Sequence, residues 1–260
     1  MLVHAAAGYG KTTALAATQE PGWLWYSLDW TDGWPLTLAG RVTAALGLEP
    51  LTAGLSASPE AVAVELAERL ADRPLTITFD RYERLGEARE VGRFLSELLQ
   101  LVPSFSLRLA TRTRPDLPLE RLGLEGRLVD VGPGELRFGR PYIATMLTAG
   151  WRPVPTEDEL EFADTTLQGW PAAVPLWLAN HELGEDLVAP IRPGMPLHNY
   201  LDEELLQRTL SPEARGRLWS EAGWLVQPGP LFERAGTEDR RWLADVLIRD
   251  RVGVVHGEAG

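Results

Sequence analysis

Five short apolar runs punctuate the first 132 residues: Leu2-Val3-His4, Trp23 to Ser27, Leu75 to Phe79, Ser106 to Thr111 and Leu128 to Val131. Segments of helical spacing stand between the first four. They are the alanine-rich stretch Ala14 to Thr18, the amphipathic stretches Pro35 to Leu46 and Pro59 to Leu70, and Ala88 to Val102. The last carries apolar groups at Val91, Phe94, Leu95, Leu98, Leu99 and Val102, one face of a helix. Proline near the start of the second and third helices falls where its missing N–H costs least. Strands alternating with helices over about 130 residues predict a mostly parallel sheet flanked by helices, an α/β class.

Gly132-Pro133-Gly134 is the strongest boundary signal in the chain, and the pattern changes after it. Helices are expected at Arg140 to Gly150, Thr156 to Leu167 and Trp170 to Leu183, with Thr156 and Glu159 forming a capping box at the second. The Pro-rich stretch Ala189 to Pro196 precedes a last segment, read as helices at Tyr200 to Arg208, Pro212 to Ala222 and Thr237 to Arg249 and a strand at Val252 to Val255. Three domains are therefore expected: 1–132, an α/β domain; 133–190, a small helical domain; and 191–260, a winged-helix-like domain.

Composition narrows the function. With no cysteine there is no disulfide, thiolate metal site or cysteine nucleophile, and with four scattered histidines a metal-dependent hydrolase is not expected. No apolar run reaches the roughly 20 residues of a membrane helix, and no secretory signal opens the chain. These features point to a cytoplasmic protein with no membrane partner. Residues 1–132 hold 13 basic and 17 acidic groups, net −4, against 12 and 20 in 133–260, net −8. The segment closest to a DNA-binding fold is thus the more acidic one, which opposes phosphate neutralisation. Direct DNA contact by this chain is not expected.

Of 25 basic residues one alone is lysine, Lys11. Arginine and lysine exchange freely on a solvated surface but not where a compact point charge must fit a tight loop. Lys11 lies in Gly8-Tyr9-Gly10-Lys11-Thr12-Thr13, between an apolar strand and a helix. Gly8 and Gly10 permit backbone angles that turn amide N–H groups inward around an anion. Lys11 would reach the β- and γ-phosphates of a nucleotide, and the Thr12 hydroxyl would ligate Mg²⁺. Ala5 stands where the first glycine of the G-x-x-x-x-G-K-[ST] pattern belongs.

Asp80 ends a hydrophobic strand about 70 residues downstream, where a carboxylate holds the water shell of Mg²⁺. Lys11 and Asp80 are accordingly the catalytic candidates, and Thr12 with Asp80 the metal pair. Arg81 follows, where a hydrolase often carries a second carboxylate, and a guanidinium cannot act as that base. Arg112, at the end of the Ser106–Thr111 strand, is placed to sense a γ-phosphate on the carboxyl edge of the sheet, with Arg114 as the competing candidate. Pro171, in Gly169-Trp170-Pro171, reads as a helix start or as a packing surface for a nucleotide base. The tryptophans, including Trp23, Trp25, Trp30 and Trp34, read as mostly core.

This ordered series resembles the STAND class of P-loop ATPases, and within it the large ATP-binding LuxR-type transcriptional regulators related to the maltose-regulon activator. The resemblance rests on Ala7 to Thr13, Trp25 to Asp29, Thr111-Arg112 with Pro115, Leu136 to Phe138, Gly169 to Ala173, and Tyr200-Leu201 with Glu204. It implies a P-loop NTPase domain with an ASCE-type parallel sheet, then a helical domain and a winged helix. It also implies ATP/ADP binding at Gly8 to Thr13, Mg²⁺ at Thr12 and Asp80, γ-phosphate sensing at Arg112 and base contact at Pro171. The family's D-D-Y-H pattern reads Asp80-Arg81-Tyr82-Glu83 here. The chain starts almost on its first strand and ends after the winged-helix segment. That reads as a piece of a longer regulator lacking its repeat sensor and helix-turn-helix, or as a reduced relative.

The expected function is an ATP/ADP-binding signalling switch, the regulatory ATPase core of a transcriptional regulator and at most a slow ATPase. Self-association or partner regulatory domains would read its state. The alternative is a non-catalytic protein-interaction module that kept the fold.

Overall fold

The computed structural model describes residues 1–70, 73–150, 156–182 and 194–206. The expected helices at Pro212 to Ala222 and Thr237 to Arg249 and the strand at Val252 to Val255 lie outside the described residues, as does the end of the one at Tyr200 to Arg208. Two compact units divide the chain. The first comprises residues 1–5 and 11–135, the second residues 6–10 and 136 onward.

The first unit is built on a five-stranded sheet: β1 (Leu2–His4), β2 (Leu24–Ser27), β3 (Leu75–Asp80), β4 (Phe105–Thr111) and β5 (Asp130–Val131). Every pairing is parallel, and the spatial order is β2-β3-β4-β1-β5. The register places Tyr26 opposite Phe79, Phe79 opposite Leu109, Leu2 opposite Leu109 and Val3 opposite Val131. Parallel neighbours need crossovers, and helices supply them: α1 (Lys11–Ala17), α2 (Pro35–Ala45), α3 (Pro59–Leu70), α4 (Arg89–Leu101) and α5 (Leu119–Leu124). The α/β class and the first four predicted helices agree with this. Helix α5 was hidden by its shortness.

The core of this unit joins Leu38 of α2, Leu66 of α3, Phe94, Leu95 and Leu98 of α4, Ile77 and Phe79 of β3, and Leu107 and Leu109 of β4. Each such side chain contributes about 1.5–3 kcal/mol by leaving water. Successive strand residues point to opposite faces, so Arg108 is sent away from Leu107 and Leu109. It reaches α1 instead. Its guanidinium donates to the Leu15 carbonyl at 3.1 Å, to Gln19 Oε1 at 3.1 Å, to Thr78 Oγ1 at 3.3 Å and to the Thr18 hydroxyl. It also lies 4.9 Å from the centre of the Trp23 ring. An arginine here ties the end of the first helix to the middle of the sheet.

The tryptophan expectation fails in this unit. Trp23 and Trp25 are half-buried, while Trp30 and Trp34 are 81% and 66% exposed. The short 3₁₀ turn at Trp30–Asp32 explains the exposure. Asp32 is buried there and accepts from the Asp29 N–H at 2.9 Å while pairing with Arg41 at 2.7 Å, so the turn is anchored by carboxylates rather than by its indoles.

The helices that follow α5 fall mostly in the second unit. Helix α6 (Pro133–Leu136) begins in the first unit's chain span, and α7 (Arg140–Gly150), α8 (Glu157–Glu161), α9 (Ala173–Glu182) and α10 (Pro196–Tyr200) follow. The capping box forms at α8: Thr156 Oγ1 accepts from the Glu159 N–H at 3.3 Å, and Glu159 Oε2 accepts from the Thr156 N–H at 2.8 Å. A π-helical turn, Phe162–Thr166, extends that helix. Ile143, Phe162, Ala163, Leu167, Val174, Trp177 and Leu178 make the core, with Phe162 and Trp177 stacked at 5.6 Å. Gly169 is required by close approach. It has a φ of +64°, and a Cβ there would meet the Phe138 carbonyl oxygen at 2.1 Å. Among the described residues no helix is long and apolar enough to cross a membrane.

Candidate functional site

In the first unit the parallel sheet places the ends of β1, β3 and β4 on one edge, the edge where ligands bind in such folds. Lys11 and Thr12 start α1 just beyond β1, Asp80 ends β3, and Arg112 follows β4. Strand β4 stands between β1 and β3. Even so, the Thr12 hydroxyl reaches Asp80, 3.0 Å from Oδ1 and 3.1 Å from Oδ2. One hydroxyl proton is thus shared between two carboxylate oxygens. Asp80 is buried and also accepts the Arg81 N–H at 2.9 Å. Arg81 adopts the left-handed conformation, φ +61°, which turns the chain sharply after Asp80 into the 3₁₀ turn Tyr82–Leu85.

Lys11 donates to the Ala5 carbonyl at 2.7 Å. Burial lowers its ammonium to a pKa of about 8. Glu83 and Asp80 counter that by favouring the charged form, and Arg112 adds to it. Lys11, Asp80, Glu83 and Arg112 therefore act on one another electrostatically. Glu83, which sequence reasoning set aside as a departure from a pattern, sits among them. Its Oε1 lies 3.3 Å from Arg112 Nε. Its Oε2 is buried with no hydrogen-bond partner among the described residues. The competing Arg114 is engaged elsewhere, 3.1 Å from Asp130 Oδ2 and 3.8 Å from Glu120. His4 Nε2 contacts the other oxygen of Asp130 at 3.1 Å.

The second unit holds the glycine loop. Gly8 and Gly10 have φ of +77° and +75°, angles that favour glycine. A Cβ on Gly8 would also stand 2.6 Å from the Ala172 Cβ and 2.8 Å from Trp170 Nε1. The Trp170 indole donates to the Ala7 carbonyl at 3.0 Å, and Ala7 belongs to the second core. Trp170, not singled out by the sequence, is thus the residue that seats this loop. Its carbonyl accepts from the Val174 N–H at 3.1 Å, so Pro171 falls in the turn that leads into α9, where a missing N–H is harmless. Pro171 and Tyr9 are half-buried, and Thr13 is exposed on α1.

The donor set fits Mg²⁺. A hydroxyl and one carboxylate are hard oxygen ligands, and that ion takes few protein ligands and completes its shell with water and phosphate oxygens. Among the described residues there is no cluster of three or more His, Asp or Glu side chains that would hold a metal by protein alone.

No family model matches the chain. It is 30% identical over 195 residues to the HTH-type transcriptional regulator MalT of Serratia proteamaculans, covering 67% of this chain and 21% of that protein. The MalT of Yersinia enterocolitica is 30% identical over 157 residues, covering 53% and 17%. The chain thus spans about a fifth of the length of the curated relatives it matches. Among solved structures, the Aeropyrum pernix ORC1 protein in complex with DNA aligns at a TM-score of 0.40 and 17% identity, covering 98% of this chain and 72% of that one. Drosophila ORC bound to DNA aligns at 0.38 and 14%, covering 83% and 57%. The sequence similarity to the MalT regulators, with the parallel sheet and the loop after β1, supports a P-loop NTPase family and a nucleotide-binding regulatory core.

Proposed function

We propose that the chain is an ATP/ADP-binding switch, the STAND-type core of a transcriptional regulator, in which the bound nucleotide sets the packing of the parts that follow. The observation that carries this reading is the Thr12–Asp80 contact, 3.0 Å long between residues 68 apart. It brings together the two side chains a nucleotide-bound Mg²⁺ would use. Gly8 to Thr13 would cradle the phosphates, Lys11 and Arg112 would neutralise their charge, and Pro171 would face the base. When bound, Mg²⁺ would supply charge neutralisation of the phosphate oxygens.

The strand order, with β4 between β1 and β3, supports the ASCE-type assignment. Domains at 1–132, 133–190 and 191–260, a winged helix in the last, a cytoplasmic setting, self-association or partner regulatory domains, and no direct DNA contact by this chain complete the proposal. Hydrolysis is slow or absent, because Arg81 supplies no base beside Asp80.

Calorimetric titration with Mg-ATP and Mg-ADP tests the reading. The wild type binds at micromolar concentration or tighter, and Lys11→Ala abolishes the heat. Equal binding by the variant would overturn it. No binding by the wild type would leave the alternative, a protein-interaction module that kept the fold.

A further inference from the structure

Two cations and two carboxylates meet at the edge of the first sheet, and three of the four have an evident task in nucleotide binding. Glu83 does not. It is four-fifths buried, at 22% side-chain exposure, and spends one oxygen on Arg112 at 3.3 Å. Its other oxygen is buried without a hydrogen bond among the described residues. Such an arrangement is costly for a carboxylate, since a buried acceptor left without a donor carries its desolvation penalty. The left-handed turn at Arg81 helps hold it there, because it directs the chain after Asp80 into the 3₁₀ turn that carries Glu83.

We propose that Glu83 sets the preference between nucleoside triphosphate and diphosphate, by occupying Arg112 with a carboxylate that a γ-phosphate must displace. The inference rests on the nucleotide-binding reading and names a regulatory residue within it. A γ-phosphate offers Arg112 a charge-assisted contact in place of the one Glu83 makes, with more negative charge. A diphosphate ends short of that guanidinium and leaves the pair intact. The triphosphate therefore meets two costs that the diphosphate avoids: separation of the ion pair, and repulsion from a carboxylate that stays nearby. The proposal makes Glu83 a specificity-determining residue that works through Arg112.

The test is Mg-ATP and Mg-ADP affinity, by calorimetry on the full chain, for the wild type, Glu83→Gln, Arg112→Ala and the double variant. Glu83→Gln keeps the shape and removes the charge. It raises the ratio of ATP to ADP affinity on the order of tenfold, the effect of removing one like charge from a partly buried site. Arg112→Ala lowers that ratio, and adding Glu83→Gln to it raises the ratio by less than Glu83→Gln does alone, because only the repulsion and not the ion pair is then left to remove. Should Glu83→Gln fail to fold, Glu83→Ala gives the same comparison. A ratio unchanged or lowered by the glutamate variants in a protein that binds both nucleotides overturns the proposal alone. A wild type that binds neither nucleotide overturns the nucleotide reading, and this inference with it.

Discussion

Arg108 and Arg112 leave the same strand four residues apart and live by different rules. Arg108 is 5% exposed, and its hydrogen bonds go to neutral acceptors drawn from α1, β3 and the loop after α1. Arg112 stands at the sheet edge, 35% exposed, against a carboxylate whose second oxygen has no hydrogen bond among the described residues. The first set of contacts has no ready substitute. The second is an exchange partner for any anion that arrives. A cation held by many neutral carbonyls and hydroxyls is architecture, whereas one set against a carboxylate at the sheet edge faces a group that another anion can replace.

The largest test of that difference is stability. Arg108→Met removes the buried hydrogen bonds to Thr78, Gln19, the Leu15 carbonyl and the Thr18 hydroxyl together and should cost about 2–4 kcal/mol in urea unfolding. Arg112→Ala should cost no more than about 1 kcal/mol, as for other partly exposed ion pairs. Equal costs would break the comparison.

Next comes pH. Burial holds Lys11 at a pKa of about 8. Mg-ATP affinity should therefore be steady below pH 8 and fall as pH rises through it. Affinity unchanged between about pH 7 and pH 9 would show that Arg112, not Lys11, carries the electrostatic attraction.

The smallest effect sharpens the contrast from the acidic side. Glu65 has a fixed role: Oε1 accepts from the N–H and hydroxyl of Thr52, both at 2.6 Å, and Oε2 from the Ala53 N–H at 2.8 Å. Those bonds lower its pKa from 4.5 to about 2. A depressed carboxylate contributes stability that is complete above its unfolded value and lost as pH falls through the folded one. The gap in thermal midpoint between wild type and Glu65→Gln should thus be constant above pH 4.5 and close as pH falls toward 2. A gap that survives there would assign the effect to shape instead of charge.

Much of the fold was open to a reader of the sequence, and the reason is local. The periodicity of α2, α3 and α4, the capping box at Thr156 and Glu159, and the apolar runs of β3 and β4 are each signalled within a dozen residues. Lys11, Thr12 and Asp80 are likewise marked by their positions at strand ends. Contacts that depend on a turn are not so marked. Nothing near Glu83 says that a left-handed Arg81 leads the chain toward Arg112. Nothing near Trp170 says that its indole will hold a carbonyl 163 residues away. Arg108 looks like any polar residue on the open face of a strand until α1 covers that face. The tryptophans at 30 and 34 misled because size suggests burial, while the turn between them is held by Asp29 and Asp32.

The scarcity of lysine gives the loop a chemical address. A chain with one ε-amine, half-buried and with its proton loosely held near pH 8, offers acylating and aldehyde reagents a single side-chain target. Whatever covers Lys11 would shield that atom, so the extent of modification there becomes a footprint of occupancy, read at one residue without a radioactive or fluorescent nucleotide.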